Sequence, residues 1–116
     1  WIVEDARKFV QREMRRGNQY DGVILDPPTY GHGVSGKTSW KIEDHLPELF
    51  DGLCHIIPNC QLMLFTCHSP GFTPNYMAGF LGAFPQVRKP EQGVMALRTP
   101  DGRNLENGHF VRWFNP

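Results

Sequence analysis

Cysteine is scarce and oddly spaced here. Cys54, Cys60 and Cys67 are the whole set among 116 residues. An odd number at such spacing makes no disulfide framework and fits no CxxC zinc pattern. A reducing, cytoplasmic setting is expected. No apolar run approaches membrane-spanning length, and the first residues lack a signal peptide's basic start and apolar run. Nor is there charge of one sign: 12 Lys+Arg balance 12 Asp+Glu, so global charge points to no particular partner. His32, His45, His55 and His109 lack ligand spacing, so no metal is expected. Ser35 stands in no G-x-S-x-G elbow. The length suits one small domain with a real core.

What is present is alternation. Trp1-Ile2-Val3 reads as the tail of a strand, so the chain is expected to be a fragment of a longer protein. A helix comes next, with Ala6, Phe9, Val10 and Met14 on one face and Gly17-Asn18 as its C-cap. Its arginines read as a solvated face. Tyr20 to Asp26 is a strand, and Tyr30 to about Ser39 a glycine-rich loop. A second helix carries Leu46, Leu49, Phe50, Leu53 and Ile57, with Asp44 as its N-cap and Pro47 tolerable only in the first turn. Gln61 to Cys67 is a continuous apolar strand, expected to be buried on both faces. Thr73-Pro74 opens a third helix with Met77, Phe80, Leu81 and Phe84 inward. Gly93 to Thr99 and His109 to Phe114 close the chain as two strands around a Pro100-Asp101-Gly102 turn region. The order β-α-β-α-β-α-β-β predicts an α/β fold: a three-layer sandwich on a mostly parallel sheet with a C-terminal antiparallel hairpin.

The run Val23-Ile24-Leu25-Asp26-Pro27-Pro28-Thr29-Tyr30 carries the strongest functional signal. Two prolines stop a buried strand just after an acid and stiffen the backbone beyond it. The result is a rigid lip at the C-terminal end of a strand, where ligands bind in open α/β sheets. A carboxylate, free carbonyls and a ring suit a planar ligand with N–H donors. A turn acid that merely caps local N–H groups is the bland alternative for Asp26.

This arrangement resembles the C-terminal part of a class I S-adenosylmethionine (SAM) dependent methyltransferase. It is most similar to large-subunit ribosomal RNA methyltransferases whose fourth strand ends in an Asp-Pro-Pro motif. Glu4-Asp5-Ala6 resembles the family's acidic turn after the third strand. The resemblance implies that Asp5, with Ala6, contacts the adenine of SAM. It implies that Asp26, Pro27 and Pro28 form the catalytic lip, with Asp26 also on the cofactor side, and that Tyr30 stacks on the target base. It implies SAM as cofactor, structured RNA (ribosomal) as partner, and a partial Rossmann-like fold lacking its first two strands. Residues 1–116 would be the C-terminal part of a single catalytic domain. The family's glycine-rich loop and second acid would lie upstream of Trp1, so the fragment alone is expected to be inactive. Some related cytosine-5 methyltransferases use a Cys near the end of the next strand as nucleophile. Cys67, beside His68, is the candidate here, and a small buried hydrophobe is its alternative. With a nucleophilic Cys67 the product is 5-methylcytosine; without it, a nitrogen of guanine or adenine is the target.

A rival motif overlaps the loop. Gly31 to Thr38 matches G-x-x-x-x-G-K-[ST], the phosphate-loop pattern. A true phosphate loop joins a strand directly to a helix. Here Pro27-Pro28-Thr29-Tyr30 intervenes, and the later strands end without an acid. A nucleotide-binding protein and a degenerate methyltransferase-like binding module stand as the alternatives.

Overall fold

The computed structural model describes residues 1–32, 36 and 39–115. In chain order the elements are α1 (Ala6–Arg16), β1 (Gly22–Leu25), β2 (Tyr30–His32), β3 (Ser39–Lys41), α2 (Ile42–Ile56), β4 (Leu62–Cys67), α3 (Pro74–Leu81), β5 (Glu91–Arg98) and β6 (Asn104–Phe114).

Helix α1 starts where Asp5 accepts the Arg7 backbone N–H, which satisfies an orphan donor of the first turn. Gly17, at φ 68°, closes it as expected, its N–H returning to the carbonyls of Glu13 and Met14. The buried Glu13 then anchors the exit. It accepts the Tyr20 hydroxyl and the Asn18 amide, both at 2.7 Å, with Arg12 and Arg16 alongside. The Tyr20 hydrogen bond, followed by that of Asn18, lowers its pKa to about 2. The chain thus leaves α1 on a fixed course into β1.

The main sheet has the order β1-β4-β6-β5. β1 runs parallel to β4, with Val23 opposite Met63 and Leu25 opposite Phe65. β4 pairs antiparallel with β6, and β6 with β5. The expected closing hairpin is therefore present, and the sheet is mixed, with one parallel pairing in it. A second sheet is the small antiparallel hairpin β2–β3. One irregularity breaks the β5–β6 ladder between Val94 and Ala96. Nearby, Gly108 takes φ 87°, and a Cβ there would fall 2.5 Å from the Cys67 carbonyl oxygen and 2.8 Å from His68 Nδ1. Only glycine allows that approach.

Several sequence expectations change. Trp1 to Val3 is no strand and stands exposed; no described strand lies beside it to complete a ladder. Helix α2 begins at Ile42, not near Asp44. Its N-cap Lys41 makes no side-chain cap; instead the His45 Nδ1 accepts the Lys41 N–H at 2.9 Å. Glu43 and Asp44 fill the first turn, where carboxylates meet the positive end of the helix dipole. Pro47 therefore lies inside the helix on its exposed side, where water can reach the carbonyl it leaves unpaired. β4 is buried on one face only: Met63, Phe65 and Cys67 point inward, while Leu62 is exposed and Leu64 half-buried.

That asymmetry reflects the layers. Leu46, Leu49, Phe50, Leu53 and Ile56 of α2 pack with Val10 of α1, Met77 and Leu81 of α3, and Met63, Phe65 and Val111 of the sheet in one core. Phe50 and Phe80 meet Phe65 with ring centres 5.4 and 6.2 Å away. Full burial of a side chain such as Phe50 or Phe65 contributes about 1.5–3 kcal/mol. α3 starts as expected, with Thr73 accepting the Tyr76 N–H and Pro74 in the first turn. Of the three layers expected, the described residues supply two, helices and sheet. The opposite face, with Ile24, Leu62 and Phe114, carries no described helix. Among the described residues no helix is long and apolar enough to cross a membrane.

Candidate functional site

The site lies at the C-terminal end of β1. Val23 and Leu25 pack against the core, and the strand stops as Asp26 meets Pro27. The Thr66 hydroxyl donates to Asp26 Oδ1 at 2.7 Å, and His68 Nε2 lies 3.7 Å from the same oxygen. The Thr29 and Ser69 hydroxyls are 2.6 Å apart. β4 and the residues just after it thus hold the lip at both ends. From the other side, the Ile42 N–H donates to the Thr29 carbonyl at 3.1 Å and the Trp40 indole N–H to the Pro28 carbonyl at 2.7 Å.

The acidic turn faces the lip. Asp5 accepts the Arg7 backbone N–H at 2.9 Å and its guanidinium at 3.3 Å. Partial burial pushes the Asp5 carboxyl up; the Arg7 contacts together outweigh it and hold the pKa below the usual aspartate value. Asp5 is therefore charged at neutral pH. Ala6 is the first helical residue, so its N–H has no partner within the helix.

Between turn and lip lies a cavity of about 680 Å³. Asp5, Ala6, Asp26, Pro27 and Pro28 all line it, so five of the sequence-named residues come together. Leu25, Leu49 and Trp40 supply apolar walls, and Glu4, Lys8 and His32 a polar rim. Trp40 and Lys8 escaped sequence reasoning. The signal for Trp40 was a large aromatic alternating with Ser39 and Lys41 just before a helix.

Two named residues stay outside. Tyr30 opens β2 opposite Lys41, is 72% exposed and does not line the cavity. The aromatic wall is Trp40 instead. Cys67 is 0% exposed. The strand pleat puts it on the helix-facing side with Met63 and Phe65, while Asp26 bonds the opposite-facing Thr66. Its Sγ accepts the Ser69 N–H at 3.4 Å. Buried there, the thiol does not open onto the cavity.

The phosphate-loop pattern fares no better. Its first two residues, Gly31 and His32, belong to β2, and Ser39 just after it to β3, whereas a phosphate loop joins a strand to a helix. Gly33, Val34, Ser35, Lys37 and Thr38 of the motif lie outside the described residues. Among the described residues no three His, Cys, Asp or Glu side chains gather as a metal site.

No family profile and no curated protein matches this chain. Solved structures do. A SAM-dependent methyltransferase from Agrobacterium tumefaciens superposes with a TM-score of 0.83 at 33% identity, over 100% of this chain and 40% of that one. A protein described as a methyltransferase, solved as a complex with SAH, gives 0.66 at 15% identity over 95% of this chain and 30% of that one. A protein described as a SAM-dependent methyltransferase from Streptococcus mutans gives 0.59 at 14% over 95% and 29%. The chain spans less than half the length of each, and its fold is that of part of such an enzyme.

Proposed function

We propose that this chain is the C-terminal part of the catalytic domain of a SAM-dependent methyltransferase acting on a base of structured RNA, ribosomal RNA foremost. One observation carries the reading: the acidic turn at Asp5 and the Asp26-Pro27-Pro28 lip, far apart in sequence, wall a single cavity. Its size lies within the range of small-molecule sites.

The residues present fit the cofactor. The Asp5 carboxylate has lone pairs left for an amine, the Ala6 N–H can donate to a ring nitrogen, and Leu25 and Trp40 offer apolar surface to a purine. When bound, SAM supplies a methyl group on an electrophilic sulfonium. The protein's part is alignment. Asp26, steadied by Thr66, accepts a hydrogen bond from the target amine or ring N–H. Pro27 and Pro28 keep that acceptor from swinging. The RNA assignment rests on the likeness of this lip to the ribosomal RNA enzymes. A cytoplasmic setting accords with three free thiols.

Calorimetry on the full-length protein tests the cofactor. SAM binding without ATP binding is expected; ATP binding without SAM binding overturns the reading. Incubation with labelled SAM and cellular RNA, followed by mass mapping, then tests the substrate. SAM binding with no methyl transfer to any RNA would leave a binding module.

A further inference from the structure

We propose that Trp40 is the positioning residue of this cleft, fixing the Asp26-Pro27-Pro28 lip relative to the Asp5 turn. The inference rests on the methyltransferase reading for its ligand and on geometry for the rest. The Trp40 indole N–H donates to the Pro28 carbonyl at 2.7 Å, and its ring walls the cavity. The Arg7 guanidinium lies 5.8 Å from the ring centre, within cation–π range. Arg7 also donates to Asp5 and to the Ser39 carbonyl, each at 3.3 Å. A continuous tie therefore runs Asp5–Arg7–Trp40–Pro28, from one wall of the cavity to the other. His45 backs it: its ring centre is 5.7 Å from that of Trp40, and its Nδ1 is fixed by the Lys41 N–H.

Proline explains why the lip needs this hold. Neither Pro27 nor Pro28 has an N–H, so of the backbone groups of these two residues only the carbonyls can be held by a hydrogen bond. With one lone pair of the Pro28 carbonyl held by Trp40, that carbonyl is fixed in direction beside Asp26.

The test uses the full-length protein and Trp40→Phe, which keeps a ring and loses the donor. Hydrogen exchange of the Thr29, Tyr30 and Gly31 amides should quicken without any ligand. SAH affinity should weaken about three- to tenfold, the measure of one lost hydrogen bond. Arg7→Met, which cuts the tie at its other end, should move both readouts the same way and serves if Trp40→Phe does not fold. Unchanged exchange and unchanged SAH affinity overturn the proposal, leaving Trp40 as packing only. Faster exchange in the variant, with no SAH binding even in the unmodified protein, sustains the tie and sinks the methyltransferase reading.

Discussion

Thr66 and Asp26 face each other across the β1–β4 boundary, the hydroxyl of one donating to the carboxylate of the other at 2.7 Å. The bond orients an exposed acid at a cavity rim. Asp26→Asn keeps the shape and removes the charge. Hydrogen bonds to charged groups are worth about 1.5–3 kcal/mol, so methyl transfer should fall about ten- to hundredfold. Thr66→Val should cost less, about three- to tenfold, since the carboxylate remains. Urea unfolding of both variants should shift by less than about 1 kcal/mol, because neither side chain is in the core. A larger shift would make the pair structural.

Cys67→Ala separates chemistry from packing. The thiol is fully buried, so its loss should destabilise by about 1–2 kcal/mol. Turnover per folded molecule should be unchanged. Abolished transfer with intact SAM binding would restore the thiol as nucleophile.

Glu13 sets an acid limit. Its pKa falls from the ordinary 4.5 to about 2 on folding, led by Tyr20 and Asn18. A depressed carboxyl stabilises the folded state above its unfolded pKa and loses that contribution as pH falls toward its folded one. Stability should therefore decline between pH 4.5 and about 2. Glu13→Gln should flatten that part of the curve. An unchanged slope in chemical denaturation would assign the acid sensitivity elsewhere.

The bare sheet face bears on handling. Ile24 is 69% exposed on β1, which among the described residues pairs only with β4. An open apolar edge invites pairing with other chains. Residues 1–116 expressed alone should self-associate in sedimentation, and Ile24→Lys should reduce it. A monomer at high concentration would show that the edge is protected by other means.

Much of this architecture was legible because caps and periodicity act locally. Gly17 and Thr73-Pro74 mark helix ends through bonds to their own neighbours, and they lie where the sequence placed them. The Asp26-Pro27-Pro28 lip was legible for the same reason: two successive prolines remove two adjacent donors and so end a ladder locally. The misses were tertiary. The start of α2 depends on Thr29 and His45 satisfying backbone donors at Ile42 and Lys41, which no local pattern announces. The burial of Cys67 follows from which sheet face the helices cover. Trp40 was missed because it is distant from the lip in sequence; the β2–β3 hairpin carries it back to the cavity.

Gly108 couples two regions that otherwise share little. Its missing side chain is what lets β6 lie against the last residue of β4 and the His68 ring. Any larger residue at 108 would displace the hairpin or the histidine, and with it the neighbour of Asp26. A variant library at position 108 would therefore read out as rim defects, although the position belongs to neither the turn nor the lip. The rim of the cleft is thus kept in phase by an atom that is not there.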